Sequence, residues 1–123
     1  MPKKTQKGAC FEQQTADYLA HVLGRSIERR VKHGAKDRGD IAGLYIRGMR
    51  TVAECKCCKR MELAQWIDEA DEERANDDAD LGIVIHKRKG CGAKKFGGNY
   101  VTMKLETLAA IIAGSKDFLN EDD

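Results

Sequence analysis

Two strand-like segments, Ile41 to Arg47 and Thr51 to Cys57, are separated only by Gly48-Met49-Arg50. Both are rich in β-branched and small apolar residues, and so short a connection folds them against each other as an antiparallel hairpin. Side chains two apart in a strand share a face, so Glu54 and Lys56 point the same way whatever the turn. The face taken by Asp40, which opens the first strand, depends on the register. A two-residue turn would pair Arg47 with Arg50 and send Asp40 to the face opposite Glu54. The three-residue turn Gly48-Met49-Arg50 pairs Arg47 with Thr51, so only an odd-length turn or a bulge brings Asp40 to Glu54. With that turn Asp40, Ala42, Leu44, Ile46, Val52, Glu54 and Lys56 are expected on one face. Ile41, Gly43, Tyr45, Ala53, Cys55 and Cys57 are expected on the other.

Helical spacing flanks this hairpin. Phe11, Tyr18, Leu19, Val22 and Leu23, with Thr15 between, recur at intervals of three and four, and Gly24 supplies a stop. Ser26 to Val31 reads as a short strand, and His33 to Gly39 as a polar loop leading to Asp40. Met61 to Ala75 carries Met61, Ala64, Ile67, Ala70 and Arg74 at helical spacing, with acids over the remaining surface. Leu81 to His86 and Tyr100 to Lys104 read as strands, Leu105 to Ala113 as a helix, and 115–123 as a frayed acidic tail. The alternation of helices and strands predicts an α/β fold in one domain, residues 1–114, with helices flanking a mixed central sheet. A chain of 123 residues buries one such core without staples.

Hydrophobic residues at 41% and charged residues at 34% describe a globular chain with a heavily charged surface. No apolar run approaches the roughly 18 to 20 residues of a membrane span, and Met1-Pro2-Lys3-Lys4 lacks the apolar region of a signal peptide, so a cytoplasmic location is expected. The five cysteines are odd in number and are expected to stay thiols. Net charge is only +2, but it is segregated. Lys87, Arg88, Lys89, Lys94 and Lys95 form a basic block, Arg25 to Arg38 is basic, and Asp68 to Asp80 is acidic. Such a two-sided distribution concentrates positive potential where a polyanion docks. The glycine-rich segment His86 to Gly98 reads as a loop that grips a nucleic-acid backbone without reading sequence. Phe96 is either a wedge at a branch point or a core residue under that loop.

Asp40, Glu54 and Lys56 put two carboxylates and an amine on one covered sheet face. Buried there without partners they would be costly, so they open on a cleft with a metal or form a buried ion cluster. The metal reading accounts for all three residues. Hard oxygen ligands from Asp40 and Glu54 suit a magnesium ion that keeps several waters and touches a phosphate. Lys56 would orient the attacking water and stabilise the charge of the transition state.

Lys7-Gly8, Glu12 in the first helix, Arg29-Arg30, Gly39-Asp40 and Glu54-Cys55-Lys56 resemble, in order and spacing, the archaeal Holliday junction resolvases of the PD-(D/E)XK nuclease superfamily. The resemblance covers about the first half of the chain. It implies a restriction-endonuclease-like αβββαβ core with a mixed sheet flanked by helices, a magnesium or manganese cofactor, and a homodimer that cuts branched DNA, a four-way junction, symmetrically. It also implies Glu12 as the helix-borne carboxylate completing the metal site, with Lys7, Arg29 and Arg30 at the DNA backbone and Gln65 supporting the site. Small size and family habit point to a phage or other mobile genome. No proline precedes Asp40, and no loop serine of the kind some resolvases carry stands between His33 and Gly39. A nuclease of ends, flaps or single strands, and a non-catalytic DNA-binding module, are the alternatives.

Trp66 is expected at a helix-helix or dimer contact. Cys55, Cys57, Cys58, Cys91 and His86 raise the question of zinc, but Cys55-x-Cys57-Cys58 lacks the spacer of a chelating turn. Buried thiols acting as small hydrophobes are the expected reading.

Overall fold

A computed structural model describes residues 4–30 and 39–120, and their side chains over 8–30 and 39–119. The loop expected from His33 toward Asp40 therefore lies outside the described residues as far as position 38. The elements in order are α1 (Lys4–Leu23), β1 (Glu28–Arg29), β2 (Ile41–Ala42), β3 (Tyr45–Ile46), β4 (Met49–Lys56), α2 (Leu63–Asn76), β5 (Leu81–His86), β6 (Tyr100–Thr102) and α3 (Leu105–Ala113). They form an α/β fold with a mixed sheet flanked by helices. The sheet runs β1-β2-β4-β5-β6, with β3 also paired to β4. All pairs are antiparallel except β4 and β5. A parallel pair needs a long crossover, and α2 provides it. Gly82 lets α2 approach β5 closely, since a Cβ there would meet the Ala70 carbonyl oxygen at 3.0 Å.

The hairpin turn differs from the expectation. Ile46 pairs with Met49 and Tyr45 with Arg50, so the turn is the two residues Arg47-Gly48 rather than Gly48-Met49-Arg50. Both turn residues have positive φ, 52° and 80°. This is the backbone of a tight hairpin turn whose twist matches the strands it joins, and glycine takes its second position without strain. Arg47 accepts the left-handed conformation while its Nη1 donates to the Ile111 and Ile112 carbonyls, at 3.0 and 2.8 Å, at the end of α3. Those carbonyls lie in the last turn, where a helix C-terminus runs short of intrahelical donors.

A two-residue turn alone would send Asp40 away from Glu54, but a bulge reverses the parity. Ile41 pairs with Ala53 while Tyr45 pairs with Arg50, so residues 42–44 lie opposite 51–52. The extra residue falls at Gly43 and Leu44, where Gly43 has φ 89° and the Leu44 carbonyl accepts from the Thr51 amide at 2.9 Å. Beyond the bulge Asp40 stands in register with Glu54. The price falls on the expected faces: Leu44 and Ile46 belong to the side opposite Glu54. Leu44 packs with Ile41, Ala53, Cys55, Ile83 and Ile85 against Phe11 and Ala16 of α1. Ile46 packs on Met49, Leu81 and Ala110.

The helices also shift relative to the sequence reading. The buried face of α1 is Phe11, Thr15 and Ala16, extended by Leu19 and Ala20, whereas Val22 and Leu23 are exposed. Trp66 is buried against Ala70 and Val84 on the α2 side of the sheet, with its ring 5.4 Å from that of His86. Phe96 is buried 5.6 Å from Phe11 and 5.5 Å from Tyr18, so the basic loop is anchored on α1 and Phe96 is a core residue, not a wedge. After α3 the chain turns back through 117–120, with Leu119 against Met49 and Leu81 and with Lys116 3.0 Å from Asp80. The frayed tail expected from Ser115 is thus a packed turn as far as Leu119. Among the described residues no helix is long and apolar enough to cross a membrane.

Candidate functional site

Asp40 is fixed by the backbone on both sides. Its amide donates to the Ala53 carbonyl at 3.0 Å and its carbonyl accepts from the Arg30 amide at 2.7 Å. Its carboxylate Oδ2 accepts from the Cys55 amide at 2.7 Å, which lays Asp40 alongside the Glu54-Cys55 peptide. Gly39 makes this possible, since with φ 92° a Cβ there would lie 2.5 Å from Val52 Cγ1.

Glu54 and Lys56 share the α2 side of β4, as their spacing dictates. Glu54 is buried, its Oε1 3.5 Å from Lys56 Nζ. Its Oε2 is buried without a hydrogen-bond partner among the described residues. A buried carboxylate oxygen without a donor is expensive, and a bound ion is one of the things that would offset that cost. Lys56 is held by a residue that strand spacing could not reveal. Glu69 of α2 places Oε2 2.7 Å from Lys56 Nζ, and its Oε1 accepts from Gln65 Nε2 at 3.1 Å. The only sequence signal for Glu69 is its position four residues after Gln65 on the same helical face. Burial pulls the Lys56 ammonium down, but the Glu69 hydrogen bond and the charge of Glu54 outweigh it, and the group is held above the ordinary lysine range. Lys56 is therefore a cation at neutral pH and no candidate for a general base.

Cys55 points to the α1 side. Burial raises its thiol first, the field of Asp40 next, a Thr15 hydrogen bond opposes them, and Glu12 and Glu54 add to the rise. The thiol stays protonated and unreactive. The charges of Asp40, Glu12 and Glu54 all act on that buried sulfur in the same direction. Glu12 is drawn aside, however, with Oε2 2.8 Å from Arg29 Nε. Among the described residues no three His, Cys, Asp or Glu side chains gather closely enough to hold a metal ion. Asp40 and Glu54 stand opposite each other on neighbouring strands, Asp40 Oδ2 taken by the Cys55 amide and Glu54 Oε2 without a hydrogen-bond partner among the described residues.

The candidate DNA contacts fall into two groups. Arg29 is engaged by Glu12, and Arg30 places Nη1 3.0 Å from the buried Asp77, which also takes Arg50 at 3.2 Å. These arginines tie the first strand to α1 and to the end of α2. In the loop, Lys87 Nζ donates to the Cys91 carbonyl, and Arg88 stacks 5.6 Å over the Tyr100 ring. Lys89, Lys94 and Lys95 are exposed. Lys7 lies within α1, its side chain outside the described part of the structure.

His86, level with Lys56 on the neighbouring strand, is buried between the Trp66 and Tyr100 rings, with Nε2 2.7 Å from Thr102 Oγ1. Burial lowers its pKa, so the imidazole is neutral at pH 7 and packs as part of the core. No protein-family model, curated protein or solved structure matches the chain.

Proposed function

We propose that this chain is a magnesium-dependent DNA endonuclease of the PD-(D/E)XK type, with Asp40 and Glu54 as metal ligands and Lys56 as the catalytic cation. The observation that carries the reading is the buried, unpartnered Glu54 Oε2 beside a lysine held as an ammonium and in register with Asp40. The order α1, β1, β2 with β3, β4, α2, β5 supports a restriction-endonuclease-like αβββαβ core. Magnesium, or manganese in its place, would supply Lewis-acid charge to the phosphate and acidify a water.

The chain's own residues do the rest. Asp40 and Glu54 would supply the carboxylates for the ion from opposite positions on a rigid strand pair. Lys56 presents a fixed ammonium to the negative charge that grows on the phosphate's oxygens as water adds and the bridging P–O bond breaks. Glu69 and Gln65 hold that ammonium in place before substrate arrives. Glu12 is the helix-borne acid that the likeness assigns to the ligand set, and it would first have to leave Arg29. The likeness to junction resolvases extends the proposal to a cytoplasmic homodimer acting on four-way junctions, encoded by a phage or similar genome.

Purified protein with magnesium is expected to place paired symmetrical nicks in a four-way junction and to leave linear duplex intact. Cutting of flaps or single strands alone would assign the chain to the rival nuclease class. Binding of every substrate with cutting of none would sink the catalytic reading.

Glu69→Gln is expected to slow cleavage about tenfold, in the range found when a partner behind a catalytic group is removed. Because Glu69 raises the lysine pKa, its loss lowers that pKa and moves the alkaline limb of the pH–rate profile to lower pH. The stabilisation from this pairing is present at neutral pH and is lost as pH rises through the raised lysine pKa. An unmoved alkaline limb would show that Glu69 is merely structural.

A further inference from the structure

Immediately beyond Lys56 the chain leaves β4 and forms one wall of a cavity of about 640 Å³. Its lining is Cys57, Cys58, Lys59 and Met61 from the β4-α2 connection, with Lys87, Lys89 and Gly90 from the connection after β5. The cavity thus opens at the carboxyl ends of the two parallel strands, where the connections diverge and leave a crevice. We propose that this crevice binds an unpaired nucleotide of the DNA strand next to the cleaved phosphate. The inference rests on the nuclease reading and deepens it by naming the form of DNA the site accepts.

Three observations select that occupant. The lining starts one residue after Lys56, so a DNA strand held at Lys56 has the cavity beside it. Its cations suit a phosphate, and they are not equivalent. Lys87 is spent on the Cys91 carbonyl, whereas Lys59 and Lys89 are exposed and have no ion-pair partner among the described residues. The rest of the β4-α2 wall, around Lys59, is apolar and soft: Met61 is 55% exposed, and Cys57 and Cys58 are free thiols. A bare phosphate has no use for that wall, but a splayed base or sugar does. The volume is that of pockets that take small organic groups. A base is available to such a crevice only where it is unstacked, as at the crossover of a branch or in a single strand.

The thiols make the proposal measurable without catalysis. Full-length protein in EDTA is treated with N-ethylmaleimide, alone and with a short single-stranded oligodeoxynucleotide, a four-way junction, linear duplex, thymidine monophosphate or inorganic phosphate. Cys58 and the exposed Cys10 of α1 are followed separately by mass spectrometry. With DNA at about ten times its Kd, alkylation of Cys58 is expected to slow about tenfold for single strand and junction. Cys10 and the duplex mixtures should show no such change. Lys59→Glu with Lys89→Glu is expected to remove the protection and to flatten the salt dependence of binding by about two ions. Equal slowing at Cys10 and Cys58, or DNA binding by anisotropy with no protection of Cys58, overturns the crevice and leaves the nuclease reading standing. Protection by thymidine monophosphate or phosphate as strong as by DNA assigns the crevice to a free anion and overturns the strand proposal. Loss of cleavage in Asp40→Asn with Cys58 protection retained supports both.

Discussion

Glu54→Gln is expected to reduce DNA cleavage by on the order of 10³-fold while leaving the protein at least as stable as before. The two effects have one cause. Glu54 carries a negative charge in a buried position, and one of its oxygens has no donor among the described residues. Neutralising it removes a desolvation cost, and Lys56 keeps its closer partner, Glu69, at 2.7 Å. Denaturation in urea should show a gain of about 1 kcal/mol or no change, because the desolvation relieved at Glu54 offsets its longer, 3.5 Å pairing with Lys56, which is not left alone but keeps Glu69. DNA affinity measured in EDTA should be retained. A variant that still cuts at the original rate would remove Glu54 from the chemistry. A variant that loses both cutting and several kcal/mol of stability would make Glu54 a structural ion instead.

Gly43→Val should be the most damaging single change outside the charged residues. A Cβ at this position would lie 2.6 Å from the Ser26 carbonyl oxygen, and φ is 89°. Both a backbone clash and a disfavoured conformation oppose the side chain, together costing about 3 kcal/mol. The functional loss should exceed what stability explains. If the strand escapes the clash by giving up the bulge, its register shifts by one and Asp40 turns away from Glu54. Cleavage per folded molecule should therefore fall about as far as in Glu54→Gln. Gly48→Asn serves as the comparison, since Gly48 has φ 80° but nothing within 4 Å of a built Cβ. It should cost under about 1 kcal/mol and leave cleavage intact. Equal damage from both substitutions would dissociate the bulge from the site.

The pairing of Glu54 with Lys56 was legible because strand periodicity is rigid. Leu81–His86 and Leu105–Ala113 were legible to the residue because their apolar runs are bounded by Asp80 and Lys104. The approach of Asp40 to Glu54 was legible only as a condition on the register. Its cause lies in two local choices that the sequence leaves ambiguous, a turn centred on Arg47 and a bulge at Gly43. Arg47 is a poor turn residue by propensity and takes the position because its side chain finds the end of α3, a tertiary contact that no local pattern announces. Glu69 was hidden for the same reason. On α2 it is one acid among many, and only the packing of that helix across β4 and β5 singles it out. The fates of Arg29 and Arg30 were obscured too, since a basic pair looks alike whether it meets DNA or Glu12 and Asp77.

The guanidinium of Arg47 makes the last helix a buckle for the hairpin that carries the acids. Detachment of that helix would free the very loop whose tightness fixes the spacing behind Asp40. Any shortened chain that ends before Ile111 should then forfeit catalysis before it forfeits its sheet. Gentle heating should abolish the proposed cleavage in the same temperature interval in which the C-terminal amides begin to exchange.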